Sequence, residues 1–364
     1  MNSNSPRKIM ILNSSPSKTG IGRYSDDLVS LFPDQITGYS LVLDSARINE
    51  SYPGIKINGY FPPLFTNGWF LNLNYQRFIF RKVRRQARIL LRDGGIVHIT
   101  DPSVEPINYK GKQVATIHDL FALYPDNSPL RAERKHFAKV VEKYKMLEFI
   151  ITTTDRVKRE LLEHNFSSDI TRIYPGTSKW FHKMKTSKDD LRKELGLPLK
   201  NNLVLSVSND RYRKNIDMIP KIMNNLGESY RLVRVGKSIG NDFSFRGISN
   251  ETLNKIYNAC DVLIQPSLDE GFGYPIPEAM ATALPIVCSD IEIFREIAAD
   301  CAYLSSIDPQ SFAEGIRAVI EQKETYSKKA YSIASRFSMD RFQDEIGKFY
   351  LHLQGQDISR GSHG

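Results

Sequence analysis

Short runs of β-branched and apolar residues alternate with helical stretches along most of the chain. The runs that predict strands span 8–13, 95–100, 113–118, 149–154 and 170–175 in the first half, and 202–208, 230–236, 261–267 and 284–289 in the second. The predicted helices include 131–147, 155–165, 215–226, 250–259, 277–283 and 309–322. Because strands that alternate with helices favour parallel sheets, the pattern predicts an α/β fold with two successive parallel-sheet units.

A polar segment separates the two halves. In "YPGTSKWFHKMKTSKDD" a Pro-Gly turn is followed by polar residues, so we place the hinge near 175–190. We predict an N-terminal domain over 1–180 and a C-terminal domain over 181–338, with an amphipathic helix over 339–355 that packs back on the first. A length of 364 residues also fits two domains better than one.

Composition excludes several classes of protein. No apolar run approaches the ~18–20 residues that a membrane span needs, and the N-terminus has no apolar segment of signal-peptide type, so we expect a cytoplasmic protein. The three cysteines form no CxxC pair, which argues against a disulfide framework and a structural zinc site.

The net charge of +9 lies entirely in the first half. Residues 1–180 contain 26 Lys/Arg and 17 Asp/Glu, whereas residues 181–364 contain 24 of each. We therefore expect the first half to bind an anionic partner. The charge alone does not distinguish a membrane surface, a nucleic acid and an acidic substrate.

The stretch "DEGFGYPIPEAM" (269–280) follows a predicted buried strand, at the edge where parallel sheets bind ligands. Gly271 and Gly273 allow backbone conformations closed to other residues and let a ligand approach closely. Glu270 and Glu278 each offer a carboxylate that accepts two hydrogen bonds, which suits a vicinal diol on a sugar ring. Taken singly, either glutamate fits a solvated loop or a partner of the helix dipole; the combination predicts a sugar site.

The longer segment "EGFGYPIPEAMATALPIVCSD" resembles the donor-site motif of retaining glycosyltransferases of family 4. That family has the GT-B fold, in which two Rossmann-like parallel-sheet domains face a cleft. The resemblance implies that Glu270 contacts the donor hexose and that Glu278 takes the ribose diol. It places the loop of Gly271, Phe272 and Gly273 against the sugar and phosphate.

The resemblance extends to neighbouring segments. "SNDRYRKNIDMI" (208–219) looks like the family's diphosphate clamp, which puts Arg213 and Lys214 on the donor phosphates. The chemistry agrees, because a departing diphosphate develops negative charge that fixed cations stabilise. "FRGISNETLNKIYNACDVLIQPS" is similar to the segment that meets the base, so Ile248 is a candidate base neighbour. One departure is Ala283, where the family usually has a glycine; it affects a turn rather than the site.

Two segments of the first half also resemble the family. "SKTGIGRYSDDL" (17–28) is similar to its first loop, whose second glycine, here Gly22, approaches the donor phosphate and acceptor. "TIHDLFALYPD" (116–126) resembles its His-Asp-Leu segment, whose histidine, here His118, points into the cleft near the donor sugar. Without the resemblance, a histidine at a strand end is more often structural, and the Gly-x-Gly lacks the third glycine of the dinucleotide fingerprint.

The chain contains no Asp-x-Asp pair of the kind with which many nucleotide-sugar enzymes hold a divalent ion. Side-chain cations and helix dipoles must then stabilise the diphosphate. We therefore expect metal-independent transfer, with the nucleoside diphosphate sugar as co-substrate and no further cofactor.

The segment "FLNLNYQRFIFRKVRRQARILLRD" (70–93) predicts an amphipathic basic helix. At about 100° per residue, six arginines share one face: Arg77, Arg81, Arg84, Arg85, Arg88 and Arg92. Trp69 and other aromatic residues precede them, and such residues favour a membrane interface. A solvated face fits equally well, but many family 4 enzymes act on lipid or lipid-linked acceptors. The resemblance therefore favours peripheral binding to an anionic membrane, which sedimentation with anionic and neutral liposomes measures.

The predicted function is a retaining hexosyltransferase that uses a nucleoside diphosphate sugar, with GDP-mannose as the first guess, and a lipid-linked or glycan acceptor. One alternative is a nucleotide-sugar epimerase of the same fold, which would need no acceptor. Another is a non-catalytic protein that binds nucleic acid or an anionic surface. The basic stripe has no interleaved aromatics for base stacking, which argues against nucleic acid. The sequence leaves the base, hexose, acceptor and linkage open.

Overall fold

The computed structural model describes residues 8–13, 15, 19–42, 56–60, 85, 87–89, 91, 94–102, 104–125 and 131–355. The chain divides into two units. The first unit comprises Met1–Tyr174 and Phe342–Gly364, and the second comprises Pro175–Arg341.

A seven-stranded parallel sheet forms the centre of the first unit within the described residues. Its strands are β1 (Ile9–Asn13), β2 (Ile36–Val42), β3 (Lys56–Tyr60), β4 (Ile96–Ile99), β5 (Lys112–Ile117), β6 (Phe149–Thr152) and β7 (Asp169–Arg172), in the order β3-β2-β1-β4-β5-β6-β7. The described helices that accompany it are α1 (Gly20–Leu31), α2 (Arg131–Tyr144) and α3 (Asp155–Glu163). The C-terminal helix α11 (Met339–Leu353) returns the chain to this unit.

The sequence explains why these segments become strands and helices. Every residue of β1, β4 and β6 is buried, as expected for parallel strands covered on both faces. Helix α1 begins after Thr19, whose hydroxyl accepts a hydrogen bond from the Gly22 amide at 3.1 Å. Helix α3 begins in the same way after Thr154.

The second unit is built on a six-stranded parallel sheet. Its strands are β8 (Asn202–Val207), β9 (Tyr230–Val235), β10 (Asp242–Phe245), β11 (Val262–Gln265), β12 (Ile286–Ser289) and β13 (Tyr303–Ser305), in the order β10-β9-β8-β11-β12-β13. Its helices are α4 (Lys188–Glu194), α5 (Ile219–Leu226), α6 (Asn250–Ala259), α7 (Pro275–Ala281), α8 (Glu292–Ala298), α9 (Pro309–Glu321) and α10 (Lys323–Ile333). Both sheets confirm the predicted α/β class with two Rossmann-like units.

A buried carboxylate fixes the amino end of β11. Asp261 accepts hydrogen bonds from the Leu203 amide at 2.7 Å and from the Arg192 guanidinium at 2.6 Å. Lys188 and Lys323 complete its shell of cations. Burial alone raises the pKa of Asp261, but the two lysines outweigh burial and lower it. The cluster joins β8, β11, α4 and α10 at the end of the sheet opposite the candidate site.

Most predicted strands and helices are present, and some short elements were not predicted. Strands β2, β3, β10 and β13 and helices α4, α8 and α10 lie outside the predicted segments. Strands β3, β10 and β13 are at sheet edges, where the apolar run that marks a central strand is not required. Among the described residues, no helix is both long and apolar enough to cross a membrane.

Helix α7 ends in a left-handed residue that is not glycine. Ala283 has φ +57°. Its amide donates to the Met280 carbonyl at 3.1 Å, and the Leu284 amide donates to the Ala279 carbonyl at 2.9 Å. Helices commonly end this way at glycine, because a Cβ strains the left-handed conformation. The departure from the family pattern therefore falls on a turn, as predicted.

We expect Ala283→Gly to raise the free energy of unfolding by about 1 kcal/mol, since the relieved strain exceeds the entropy that glycine adds to the unfolded chain. The matched control is Ala281→Gly in the same helix, which should lower it by up to about 1 kcal/mol. Urea unfolding of both variants measures the two changes. Two changes of the same sign would contradict the assignment of strain to Ala283.

Candidate functional site

Predicted donor-site residues lie in the loops that follow two neighbouring strands of the second unit. Arg213 and Lys214 lie in a short 3₁₀ turn that follows β8. Glu270 lies in the loop that follows β11. Because β8 and β11 pair in parallel, the two loops leave the same edge of the sheet side by side.

Glu270 is at the centre of this edge, and its side chain is 2% exposed. One carboxylate oxygen accepts a hydrogen bond from the Arg213 guanidinium at 2.7 Å. The other accepts from the Lys214 ammonium, from the Ser267 hydroxyl at 2.9 Å and from the Gln265 amide at 3.1 Å. The structure thus joins the predicted hexose-binding glutamate directly to the predicted diphosphate clamp.

These contacts fix the charge state of Glu270. Burial by itself raises the pKa of a carboxyl group, but Lys214 and Arg213 outweigh burial and lower the pKa of Glu270 to about 2. The carboxylate is therefore ionised throughout the physiological range. It balances one of the two positive charges that face it.

The loop between the two glutamates is closely packed. Gly273 has φ +81°, a conformation that other residues adopt only with strain, and a Cβ built on it would lie 3.0 Å from Cε1 of Phe294, so both conformation and space favour glycine. Gly271 is buried. The Phe272 ring is also buried, and it packs edge-on against Tyr274 and Phe337 with centroid distances of 5.3 and 5.8 Å.

The second glutamate has a partner that the sequence did not point out. Glu278, in the first turn of α7, is 1% exposed and accepts a 2.6 Å hydrogen bond from the Tyr257 hydroxyl. Tyr257 is fully buried on α6, and its ring packs edge-on against Phe181 at 5.7 Å. A tyrosine on the buried face of a predicted helix implies a hydrogen-bond partner, but not which one.

Ile248 follows the edge strand β10 and is half-buried. Strand β10 lies two positions from β8 in the sheet order. The candidate base neighbour thus shares the carboxyl edge of the sheet with the residues after β8 and β11, at one end of that edge.

The first unit has its own cluster at the carboxyl edge of its sheet. His118 follows β5, is 8% exposed and donates a 3.0 Å hydrogen bond from Nε2 to the Thr100 carbonyl. Its ring packs edge-on against Tyr24 at 4.9 Å. Burial lowers the pKa of His118, which keeps the imidazole neutral. Gly22 is buried in the first turn of α1.

A second buried histidine supports this cluster and was not predicted. His98 hydrogen bonds through Nδ1 to the Tyr350 hydroxyl at 2.7 Å and through Nε2 to the Thr116 hydroxyl at 2.8 Å. The Thr116 hydroxyl also contacts the hydroxyl of Tyr24, the residue against which His118 packs. Burial lowers the pKa of His98 to about 3. The network ties helix α11 to the strands beneath His118.

The predicted basic helix is described only in part. Arg85 and Arg88 are exposed, Ala87 is buried, and Ile89 is 53% exposed. The other predicted surface residues lie outside the described residues: Trp69, Arg77, Arg81, Arg84 and Arg92. Binding to an anionic membrane stays a prediction.

Within the described part of the chain, no group of three His, Cys, Asp or Glu side chains is placed to hold a metal ion. Metal-independent transfer also stays a prediction. The roles assigned to individual residues of both clusters are predictions of the same kind.

Comparison with known proteins places this geometry in context. Residues 187–335 match the sequence profile of the family described as "Glycosyl transferases group 1". The O-antigen chain mannosyltransferase RfbU of Salmonella typhimurium is 26% identical over 257 residues, which are 65% of this chain and 69% of that relative. The "uncharacterized glycosyltransferase MJ1607" of Methanocaldococcus jannaschii is 26% identical over 257 residues, which are 63% and 65% of the two chains.

The solved structure of sucrose-phosphate synthase from Thermosynechococcus elongatus matches with a TM-score of 0.79 at 17% identity, and the match covers 96% of this chain and 100% of that one. This likeness confirms the predicted GT-B fold. The profile match and the relatives support a glycosyltransferase of that fold.

We expect Glu270→Gln to lower the free energy of unfolding at pH 7 by about 3 kcal/mol, because a folded pKa of about 2 lies below the unfolded value of ~4.3. A depressed carboxyl pKa stabilises the fold above pH ~4.3, and this stabilisation is lost as pH falls through about 2. The difference between parent and variant should shrink to roughly half by pH 3. Urea unfolding across this range measures it.

The matched control is Asp290→Asn, in an exposed ion pair with Arg295 in the same unit. It should leave stability nearly unchanged at every pH. A Glu270→Gln difference that stays constant from pH 7 to pH 3 would contradict the assigned pKa.

Proposed function

We propose that this protein is a retaining hexosyltransferase that transfers a sugar from a nucleoside diphosphate to a lipid-linked or glycan acceptor. The observation that carries the proposal is the buried Glu270 held by Arg213 and Lys214, with Glu278 at the other end of the same glycine loop. GDP-mannose is the first candidate donor, and the name of the mannosyltransferase relative supports mannose.

Because Glu270 is paired with both cations, the donor must displace these ion pairs in order to bind. Arg213 and Lys214 are turned toward the carboxylate, so an arriving diphosphate competes with Glu270 for both cations. When the phosphate oxygens take these hydrogen bonds, the Glu270 oxygens become acceptors for hexose hydroxyls. The same two cations then stabilise the negative charge that develops as the diphosphate departs.

Glu278 supplies the second grip on the donor. The Tyr257 hydroxyl orients its carboxylate, and in the proposed complex this carboxylate accepts hydrogen bonds from the ribose diol. In this arrangement Glu270, in the loop, holds the hexose, and Glu278, in the first turn of α7, holds the ribose, while the two cations hold the phosphates between them.

In the proposed mechanism, the donor's own phosphate helps to deprotonate the acceptor hydroxyl on the face that the leaving group vacates. The new glycosidic bond forms on that face, so the anomeric configuration is retained. His118 and Gly22 have the roles that the family resemblance implies, near the donor sugar and phosphate. The anomeric coupling of the product in an NMR spectrum distinguishes retention from inversion.

We expect one donor in a panel of GDP-, UDP- and ADP-sugars to raise the melting temperature of the protein by several degrees in the presence of EDTA, because the proposed site needs no divalent ion. At a ligand concentration of 100 Kd the stabilisation is about 2.7 kcal/mol. Glu278→Ala should lose most of the shift. If no nucleotide raises the melting temperature, or if the variant responds as the parent does, the donor-site assignment fails.

We expect Tyr257→Phe to weaken the recognition of ribose while preserving that of phosphate, because Glu278 loses the hydrogen bond that orients it. The preference for a nucleoside diphosphate over its 2′-deoxy analogue should fall roughly tenfold, the effect of one hydrogen bond to a charged group. Titration calorimetry with both ligands measures the ratio. The control is Tyr303→Phe, a partly buried tyrosine of the same unit; an unchanged ratio in Tyr257→Phe would assign that tyrosine to packing alone.

A further inference from the structure

Strand β9 contains an arginine that is completely buried. Arg234 is 0% exposed and is among the largest fully buried side chains of the described residues. One terminal nitrogen donates to the Ser206 and Ser208 hydroxyls at 3.1 and 3.0 Å, and the other donates to the Ser208 carbonyl at 2.9 Å. The buried Nε has no hydrogen-bond partner.

All the hydrogen-bond acceptors of this guanidinium are neutral. Within the described residues, no carboxylate oxygen lies within ion-pair distance of Arg234, and the acids that act on it electrostatically are Asp242 and Asp210. Asp242 already accepts hydrogen bonds from Ser238 and Ile239. An arginine stays protonated in proteins, so a positive charge lies beneath this edge of the sheet without a paired anion.

Burial of such a charge is costly. Removing an ion from water costs several kcal/mol even after relaxation, and neutral acceptors recover only part of that cost. The neighbours of Arg234 in the same strand, Leu232 and Val233, are ordinary core residues. A polar group that opposes folding in this way, at the edge where a parallel sheet binds ligands, indicates a role in binding.

The guanidinium of Arg234 is hydrogen bonded to the carboxyl end of β8, the strand that precedes the clamp. Ser206 lies in β8, Ser208 follows it, and the chain continues from there into the turn of Arg213 and Lys214. Strand β9 pairs with β8 over the whole length of both. Arg234 is therefore hydrogen bonded to the end of β8, from which the chain continues into the clamp.

Gly236 allows the backbone to pack closely against the guanidinium of Arg234. Gly236 has φ +148°, and a Cβ built on it would lie 2.3 Å from the Ser208 carbonyl oxygen and 3.1 Å from a terminal nitrogen of Arg234. Backbone thus packs directly against the guanidinium and excludes water. In such surroundings the field of a fixed charge is screened less than at the surface.

The clamp itself differs from Arg234 in charge balance. Arg213 and Lys214 face the ionised Glu270, whereas Arg234 faces serines. We propose that Arg234 is a positioning residue whose unpaired charge attracts the diphosphate of the donor and whose hydrogen bonds set the end of β8 from which the clamp extends. This proposal rests on the proposed donor site. It adds that Arg234 gives that site a positive electrostatic potential before any ligand binds.

The test compares ligands that differ only in the number of their phosphate groups. Titration calorimetry with GDP, GMP and guanosine is run on the parent, on Arg234→Met and on Arg234→Lys, and is repeated with the uridine and adenosine series if the guanine series does not bind. Arg234→Met should lose roughly tenfold in affinity for the diphosphate, because it removes one fixed positive charge from surroundings of low dielectric constant. The loss should be smaller for the monophosphate and absent for the nucleoside. Arg234→Lys, which keeps the charge, should retain most of the affinity.

The proposal is overturned if Arg234→Met binds the diphosphate as the parent does, if it loses affinity equally for all three ligands, or if Arg234→Lys is as weak as Arg234→Met. If Arg234→Met does not fold, Arg234→Gln replaces it, because glutamine keeps two N–H donors for Ser208. Failure of both neutral variants to fold counts against the proposal, since it assigns Arg234 to the fold. A parent that binds no nucleotide of the three series rejects the proposed function instead.

Discussion

The candidate site of the second unit depends on one buried carboxylate that two cations hold. Glu270 is inaccessible to water, and it stays ionised only because Arg213 and Lys214 face it. Those cations are in turn fixed by Glu270, so the loops after β8 and β11 are locked together before any ligand arrives. A site assembled in this way needs less ordering when it binds than two free loops would, although it must exchange one anion for another.

Much of this arrangement could be predicted from the sequence, for a physical reason. Central parallel strands are apolar on both faces, so β1, β8 and β11 stand out as runs. A loop that contains glycines and carboxylates, between a buried strand and a helix, also indicates the edge of the sheet at which ligands bind. The direct contact of Glu270 with Arg213 and Lys214 did not follow from these patterns, because their spacing along the chain shows no pairing between the two loops.

The unpredicted residues share a different property. Arg234 and Tyr257 lie inside regular elements, at positions that periodicity assigns to the core, and their hydrogen-bond partners are 18 to 28 residues away. His98 is 252 residues from Tyr350. A polar residue on a buried face indicates that a partner exists, but only the paired strands and packed helices identify it.

The division of the chain has a consequence for biosynthesis. The first unit needs residues from Phe342 onward, since Tyr350 closes the network around His98, whereas the second unit is continuous from Pro175 to Arg341. On the ribosome, the later-made unit therefore has its full sequence available before the earlier-made one does. The nascent amino-terminal sheet must wait, with the surface that α11 covers still exposed, until Met339–Leu353 have been made.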